Sequence, residues 1–245
     1  MDAITERTAF APHVRPYVRA AVPVESFLMG WALADGSAVL VDSGKDIELL
    51  IEGQATPLEY ARLLAHATEA GYPVNTVTLP SSLAELITVP EPREWYWLMR
   101  TRPFPVAPVP THTRVVTTHD FDAEITRFLQ RSAADAAVMP GNPEINFWVL
   151  SRAVSGELQA VAAGTTWSSG ARVIHSVAVA TEARRQGLGS LVTVLAGQQH
   201  FADGAVSVSL GVRGSNAHAL AMYRKLGFDA EIHFASSRLS RRSLS

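Results

Sequence analysis

The stretch from Val173 to Leu195, VIHSVAVATEARRQGLGSLVTVL, constrains the fold of this chain more than any other part. Val173, Ile174, Val177 and Val179 supply a β-branched strand. Gly187 and Gly189 follow a short basic loop. Leu188, Leu191, Val192 and Leu195 then recur at i, i+3, i+4 and i+7, one face of a helix. Strand, loop and helix in that order put a helix N-terminus against a strand end. Such a terminus offers free backbone N–H groups and the positive end of a dipole, which suits an anion. The glycines let a phosphate approach the backbone, and Arg184 and Arg185 add charge. The segment therefore reads as a holder for a phosphorylated ligand.

The rest of the chain must bury that strand and helix. At 245 residues there is room for one large domain or two small ones. A hydrophobic share of 47% against 18% charged supports a packed core. The formal net charge of −2 gives no case for a nucleic acid or a membrane surface as partner. Cysteine is absent, which excludes disulfides, thiolate metal sites and a cysteine nucleophile, and is compatible with a cytoplasmic location. The opening MDAITERTAF has no apolar core of a signal peptide, and no run of about 18 apolar residues predicts a membrane span. The eight histidines are scattered without metal-ligand spacing, so no metal is expected.

Pro103, Pro105, Pro108 and Pro110 mark the sharpest boundary. They predict a linker over 101–112, between an α/β N-terminal half over 1–100 and a second domain over 113–245. In the first half, strands are expected over 27–34, 37–41, 46–51, 75–79 and 94–100, with a hairpin turn at Asp35-Gly36. Helices are expected over 57–70, capped by Thr56 and ended by Gly71, and over 81–87. Trp95 and Trp97 share one strand face, and packing is favoured over a ligand role for them. The second domain predicts strands over 113–117, 147–153, 158–167, 171–180, 205–212 and 232–235. Its helices are expected over 121–137, from Gly187 to near Gly204, and over 216–226 with Gly227 as the stop. The Ser- and Arg-rich 236–245 reads as a frayed terminus.

RRQGLG is neither the dinucleotide fingerprint, since Val192 stands where a small residue is needed, nor a Walker loop, since no GK[ST] follows. What gives it meaning is the later NAHALAMYRKLGF. Together the two resemble the GNAT superfamily of acyl-CoA-dependent N-acetyltransferases. The phosphate motif [RQ]xxGx[GA] is matched by Arg184, Gly187 and Gly189. The later NxxAxxxYxxxGF is matched by Asn216, Ala219, Tyr223, Gly227 and Phe228. The resemblance covers residues 113 to about 235. It implies a mixed central sheet flanked by helices, and acetyl-CoA as acyl donor. The N-terminal half resembles, more weakly, a degenerate copy of the same fold.

The resemblance implies roles residue by residue. The backbone of Val177, Ala178 and Val179 would pair with the pantetheine arm. Arg185, Gln186, Gly187, Leu188, Gly189 and Ser190 would surround the pyrophosphate. Asn216 would contact the cofactor, and Tyr223 would protonate the leaving thiolate. A thiol near pKa 8.5 and a tyrosine near 10 make that transfer slightly uphill, so it needs good geometry. Many family members carry a glutamate base just before the position of Val212, where this chain has Gly211. His175, four residues before Val179, is expected on the same strand face and is the candidate base, directly or through water. Packing is an equal alternative for it, and His218 is expected at the surface. The acceptor would be the primary amine of a small molecule or a peptide, and a homodimer stays open. The alternative from another class is a non-catalytic CoA-binding sensor or regulatory module, which Gly211 favours and Tyr223 disfavours.

Overall fold

A computed structural model describes residues 3–11, 15–23, 25–105 and 109–239. In chain order it contains α1 (Arg7–Phe10), α2 (Pro16–Ala21), β1 (Phe27–Leu33), β2 (Asp35–Asp42), β3 (Ile47–Gln54), α3 (Pro57–Glu69), β4 (Thr76–Pro80), α4 (Ser81–Ala84) and β5 (Arg93–Arg100). There follow β6 (Thr113–Val116), α5 (Asp122–Ser132), β7 (Ile145–Arg152), β8 (Leu158–Thr166), β9 (Arg172–Val179), α6 (Leu188–Ala202), β10 (Val208–Arg213), α7 (Ala217–Lys225) and β11 (Ala230–Arg238). Two compact units result, one of residues 1–97, 212–216 and 232–245, the other of 98–211 and 217–231. Among the described residues no helix is long and apolar enough to cross a membrane.

In the first unit the strand order is β1-β2-β3-β4-β11-β5. β1, β2 and β3 run antiparallel, β4 is parallel to β3, and β11 is antiparallel to β4. Leu33 pairs with Gly36, so the turn residues are Ala34 and Asp35, one position before the expected Asp35-Gly36. Gly36 is needed for another reason: a Cβ there would lie 2.6 Å from the Glu52 carbonyl oxygen. The parallel step from β3 to β4 requires a crossover, and α3 supplies it. Thr56 and Glu59 form a capping box at its start, with Pro57 in the first turn. Leu63 and Ala67 of α3 close over Leu49, Ile51, Val77 and Leu79.

The other face of this sheet carries an aromatic cluster. Tyr17 of α2 packs against Trp95, Trp97 and Phe234 at centroid distances of 5.5, 5.2 and 4.6 Å. Trp95 and Trp97 are therefore packing residues, and Tyr96 stacks on His233 from the opposite face. The buried Glu52 carboxylate accepts the N–H groups of Tyr17 and Val18, which anchors α2. β11 runs on to Arg238, past the expected end at 235. Ser236 is held by the Trp95 indole N–H and by Thr78, and Arg238 by Asp46, so the start of the expected frayed tail is strand. Residues 240–245 of that tail lie outside the described residues.

In the second unit the order is β10-β9-β8-β7-β6, with β10 parallel to β9 and the remainder antiparallel. α5 covers one face, where Ile125, Phe128 and Leu129 meet Trp148, Leu150, Val161, Ala163 and Ala178. α6 packs along β7, β8 and β9 and buries Val192, Leu195, Ala196 and His200. Two expectations shift here. β10 begins at Val208, and Val206, expected inside it, is 86% exposed. α5 ends at Ser132 instead of continuing to 137. The following segment is alanine-rich and well suited to a helix, but the backbone of Val138 is bonded to Ser176 of β9, which draws the chain away.

Candidate active site

β9 contains a bulge. Ala163 of β8 pairs with His175, and Val161 pairs with Ala178, so one residue of β8 opposes Ser176 and Val177. Ser176 is left-handed at φ 51°, an unusual conformation for a residue with a Cβ. Its hydroxyl donates to the Val138 carbonyl at 2.6 Å and accepts the Val138 N–H at 3.3 Å, which holds the bulge. The extra residue changes the facing of everything after it. His175 shares the Ala163 and Ala178 face, toward α5, while Val179 pairs with Ala160 and lies on the other. The expected common face for His175 and Val179 is thus corrected: four residues preserve the face only in a strand without a bulge. His175 contacts Trp167, and its Nε2 has no hydrogen-bond partner among the described residues. Burial lowers its pKa to about 4, so the ring is neutral near pH 7.

The far edge of β9 is open. Among the described residues β10 pairs with β9 only at Ser209 and Val173, and the C-terminal half of β9 shows no ladder partner on that side. On its other side β9 stays paired with β8 as far as Val179. A free strand edge of this kind can take an extended ligand as an added strand.

The loop after β9 ends in a bare helix start. Arg185 and Gly187 are left-handed at φ 63° and 78°, and Gly187 is the N-cap of α6. Changes of backbone hand turn successive N–H groups toward one point. The first N–H groups of α6 have no intrahelical acceptor, the glycine at the N-cap has no side chain to cap them, and no acid stands in the first turn. Arg184, Arg185, Gln186 and Gly187 are exposed, and Leu188, Gly189 and Ser190 half-buried. The two glycines differ in purpose. Gly187 supplies the left-handed cap. Gly189 allows close packing: a Cβ there would lie 3.3 Å from Met222 Sδ and 3.6 Å from Val179 Cγ2. The end of β9, the start of α6 and α7 therefore meet at Gly189.

Tyr223 follows Met222 on α7 and is 6% exposed. Burial pushes its phenol up from the ordinary value, so it is protonated at physiological pH. α7 ends in a Schellman motif: the Gly227 N–H bonds to the Arg224 carbonyl and the Phe228 N–H to the Tyr223 carbonyl. Phe228 also packs edge-on against the Tyr223 ring at 5.9 Å. Asn216 is exposed in the turn that leads into α7, and its N–H donates to the Arg213 carbonyl at 2.9 Å. His218 is exposed, as expected. Sequence reading missed Ser176, because a left-handed serine has no local signature, and Arg100, whose partners lie far along the chain. Among the described residues no group of three His, Asp or Glu side chains could hold a metal ion.

Residues 91–228 match the family model described as the acetyltransferase (GNAT) family. No curated protein gives a significant match. Among solved structures, the GCN5-related N-acetyltransferase from Kribbella flavida superposes with a TM-score of 0.57 at 21% identity, covering 95% of each chain. A GNAT-family acetyltransferase from Colwellia psychrerythraea gives a TM-score of 0.55 at 13% identity, over 86% of this chain and 85% of that one. The GCN5-related N-acetyltransferase from Sphaerobacter thermophilus gives 0.53 at 16%, over 84% and 78%. At these identities the likeness establishes a shared fold.

Proposed function

The chain belongs to the acetyltransferase (GNAT) family, and from that premise we propose that it moves an acetyl group from acetyl-CoA to a primary amine by direct attack. The observation that carries this is the bare, exposed start of α6 after left-handed Gly187, set beside the unpaired edge of β9. The N–H groups from Gly187 to Ser190 would hold the pyrophosphate, with Arg184, Arg185 and Gln186 around it. The backbone of Val177, Ala178 and Val179 would take the pantetheine arm as an added strand, and Asn216 would contact the cofactor. Acetyl-CoA supplies an activated thioester carbonyl.

This chain's residues then manage charge and protons. The Val179 N–H would stabilise the negative charge that develops on the carbonyl oxygen. As the nitrogen–carbon bond forms, the nitrogen becomes far more acidic, and neutral His175, which lies on the face of β9 opposite to Val179, would take its proton through water. As the carbon–sulfur bond breaks, Tyr223 would give its proton to the sulfur. The glutamate that many relatives use as base is Gly211 here, so the proton path must run elsewhere. The acceptor class is the primary amine of a small molecule or a peptide, and the place of action is the cytoplasm. The N-terminal half is read as a degenerate copy of the fold that keeps the β3–α3–β4 crossover.

Calorimetric titration with acetyl-CoA tests the cofactor site. Gly187→Val should weaken binding at least about tenfold, because a β-branched residue resists the left-handed cap. Unchanged affinity in a folded variant would remove the start of α6 from the reading.

A further inference from the structure

We infer that Arg100 is a positioning residue for Tyr223, acting through the end of α7. The inference rests on the proposed role of Tyr223 as proton donor. Arg100 ends β5, at the margin of the proline-rich stretch expected to be a linker. Its Nη1 donates to the carbonyls of Leu226 at 2.9 Å and Gly227 at 3.0 Å, and its Nη2 to the Pro103 carbonyl at 3.0 Å. Its guanidinium lies over the Phe104 ring at 4.4 Å. A helix C-terminus leaves carbonyls without partners and carries the negative end of the dipole, so a cation there is doubly favoured.

Arg100 takes the carbonyls of Leu226 and Gly227, which the Schellman motif does not use. That motif already ties Tyr223 twice, through its carbonyl to the Phe228 N–H and through its ring to the Phe228 ring. Phe104 completes the frame. It lies 5.9 Å from Phe228, and a Cβ on Gly197 of α6 would sit 2.2 Å from its ring. Gln198 of α6 also donates to the Pro105 carbonyl at 2.6 Å. The stretch 100–105 thus braces α6 and α7 together, with Arg100 bonded to the turn that orients Tyr223. Gly227 is required by this arrangement as well as by its φ of 77°, since a Cβ would lie 2.2 Å from Arg100 Nη1. Lysine cannot replace the forked guanidinium that spans these carbonyls.

The test compares Arg100→Gln, Arg100→Ala, Tyr223→Phe and Leu150→Ala, the last a stability control on β7. Turnover is followed by thiol release at a temperature well below every melting point, beside calorimetric binding of acetyl-CoA. Arg100→Gln should lower kcat between about tenfold and a hundredfold with acetyl-CoA affinity within about twofold, as expected for a misplaced reacting group. Leu150→Ala should lose thermal stability and keep its kcat. Added guanidinium at millimolar concentration should restore part of the kcat of Arg100→Ala and none of that of Tyr223→Phe. A kcat for Arg100→Gln within about twofold of the parent, or a loss matched by Leu150→Ala, overturns the inference. A Tyr223→Phe variant with full kcat would instead overturn the proton-donor role on which it rests.

Discussion

His175 and His200 are both held neutral by burial within a single unit. His200 is fully buried on α6, with Nε2 3.3 Å from the Val173 carbonyl and its ring 5.0 Å from Phe147. Burial lowers the pKa of both histidines to about 4. The unfolded chain takes up these protons near pH 6.5 and the folded chain only near 4, so acid favours unfolding between those values. The stability they contribute is present above pH 6.5 and lost as the pH falls toward 4. The melting temperature should therefore drop over that window, and drop less steeply in His200→Phe. Equal slopes in the two proteins would show that His200 contributes nothing. The glycine turn at Gly187 and the helix of Tyr223 with its stop at Gly227 were legible in the sequence because a glycine turn and a helix stop are local patterns. Arg100 was not, because its carbonyl partners lie in a turn that no sequence spacing links to it.

Local pattern found β9, α6 and α7, and a non-local contact changed what β9 does. The strand's β-branched residues set its existence, yet the bulge at Ser176 decides which side chains share a face. The same hydroxyl explains why α5 stops at Ser132 although alanines follow. Ser176→Ala should cost about 1 kcal/mol or more, since it removes two bonds to the Val138 backbone. Hydrogen exchange at the Val138 amide should quicken in that variant, and unaltered exchange would show that the pin is not what holds the segment. The α3 capping box was legible from Thr56-Pro57 and Glu59 for the opposite reason, because every partner lies within one turn. The Asp35-Gly36 expectation missed by one residue because Gly36 answers to Glu52 of β3 and not to the turn.

Each unit contains a parallel strand–helix–strand crossover, and the two helix starts differ in chemistry. α6 begins bare and exposed, with two arginines before it. α3 begins with Pro57, which has no N–H, and Thr56 and Glu59 satisfy each other, placing a carboxylate where an anion would have to sit. One acetyl-CoA per chain is therefore expected in calorimetry, and a stoichiometry of two would contradict the difference. Acetyl transfer itself is read from amine-dependent release of thiol from acetyl-CoA. With a panel of small and peptide amines, the parent protein should release thiol only when an accepted amine is present, and Tyr223→Phe should release it about a hundredfold more slowly. Thiol release indifferent to every amine, or equal in the two proteins, would contradict the account.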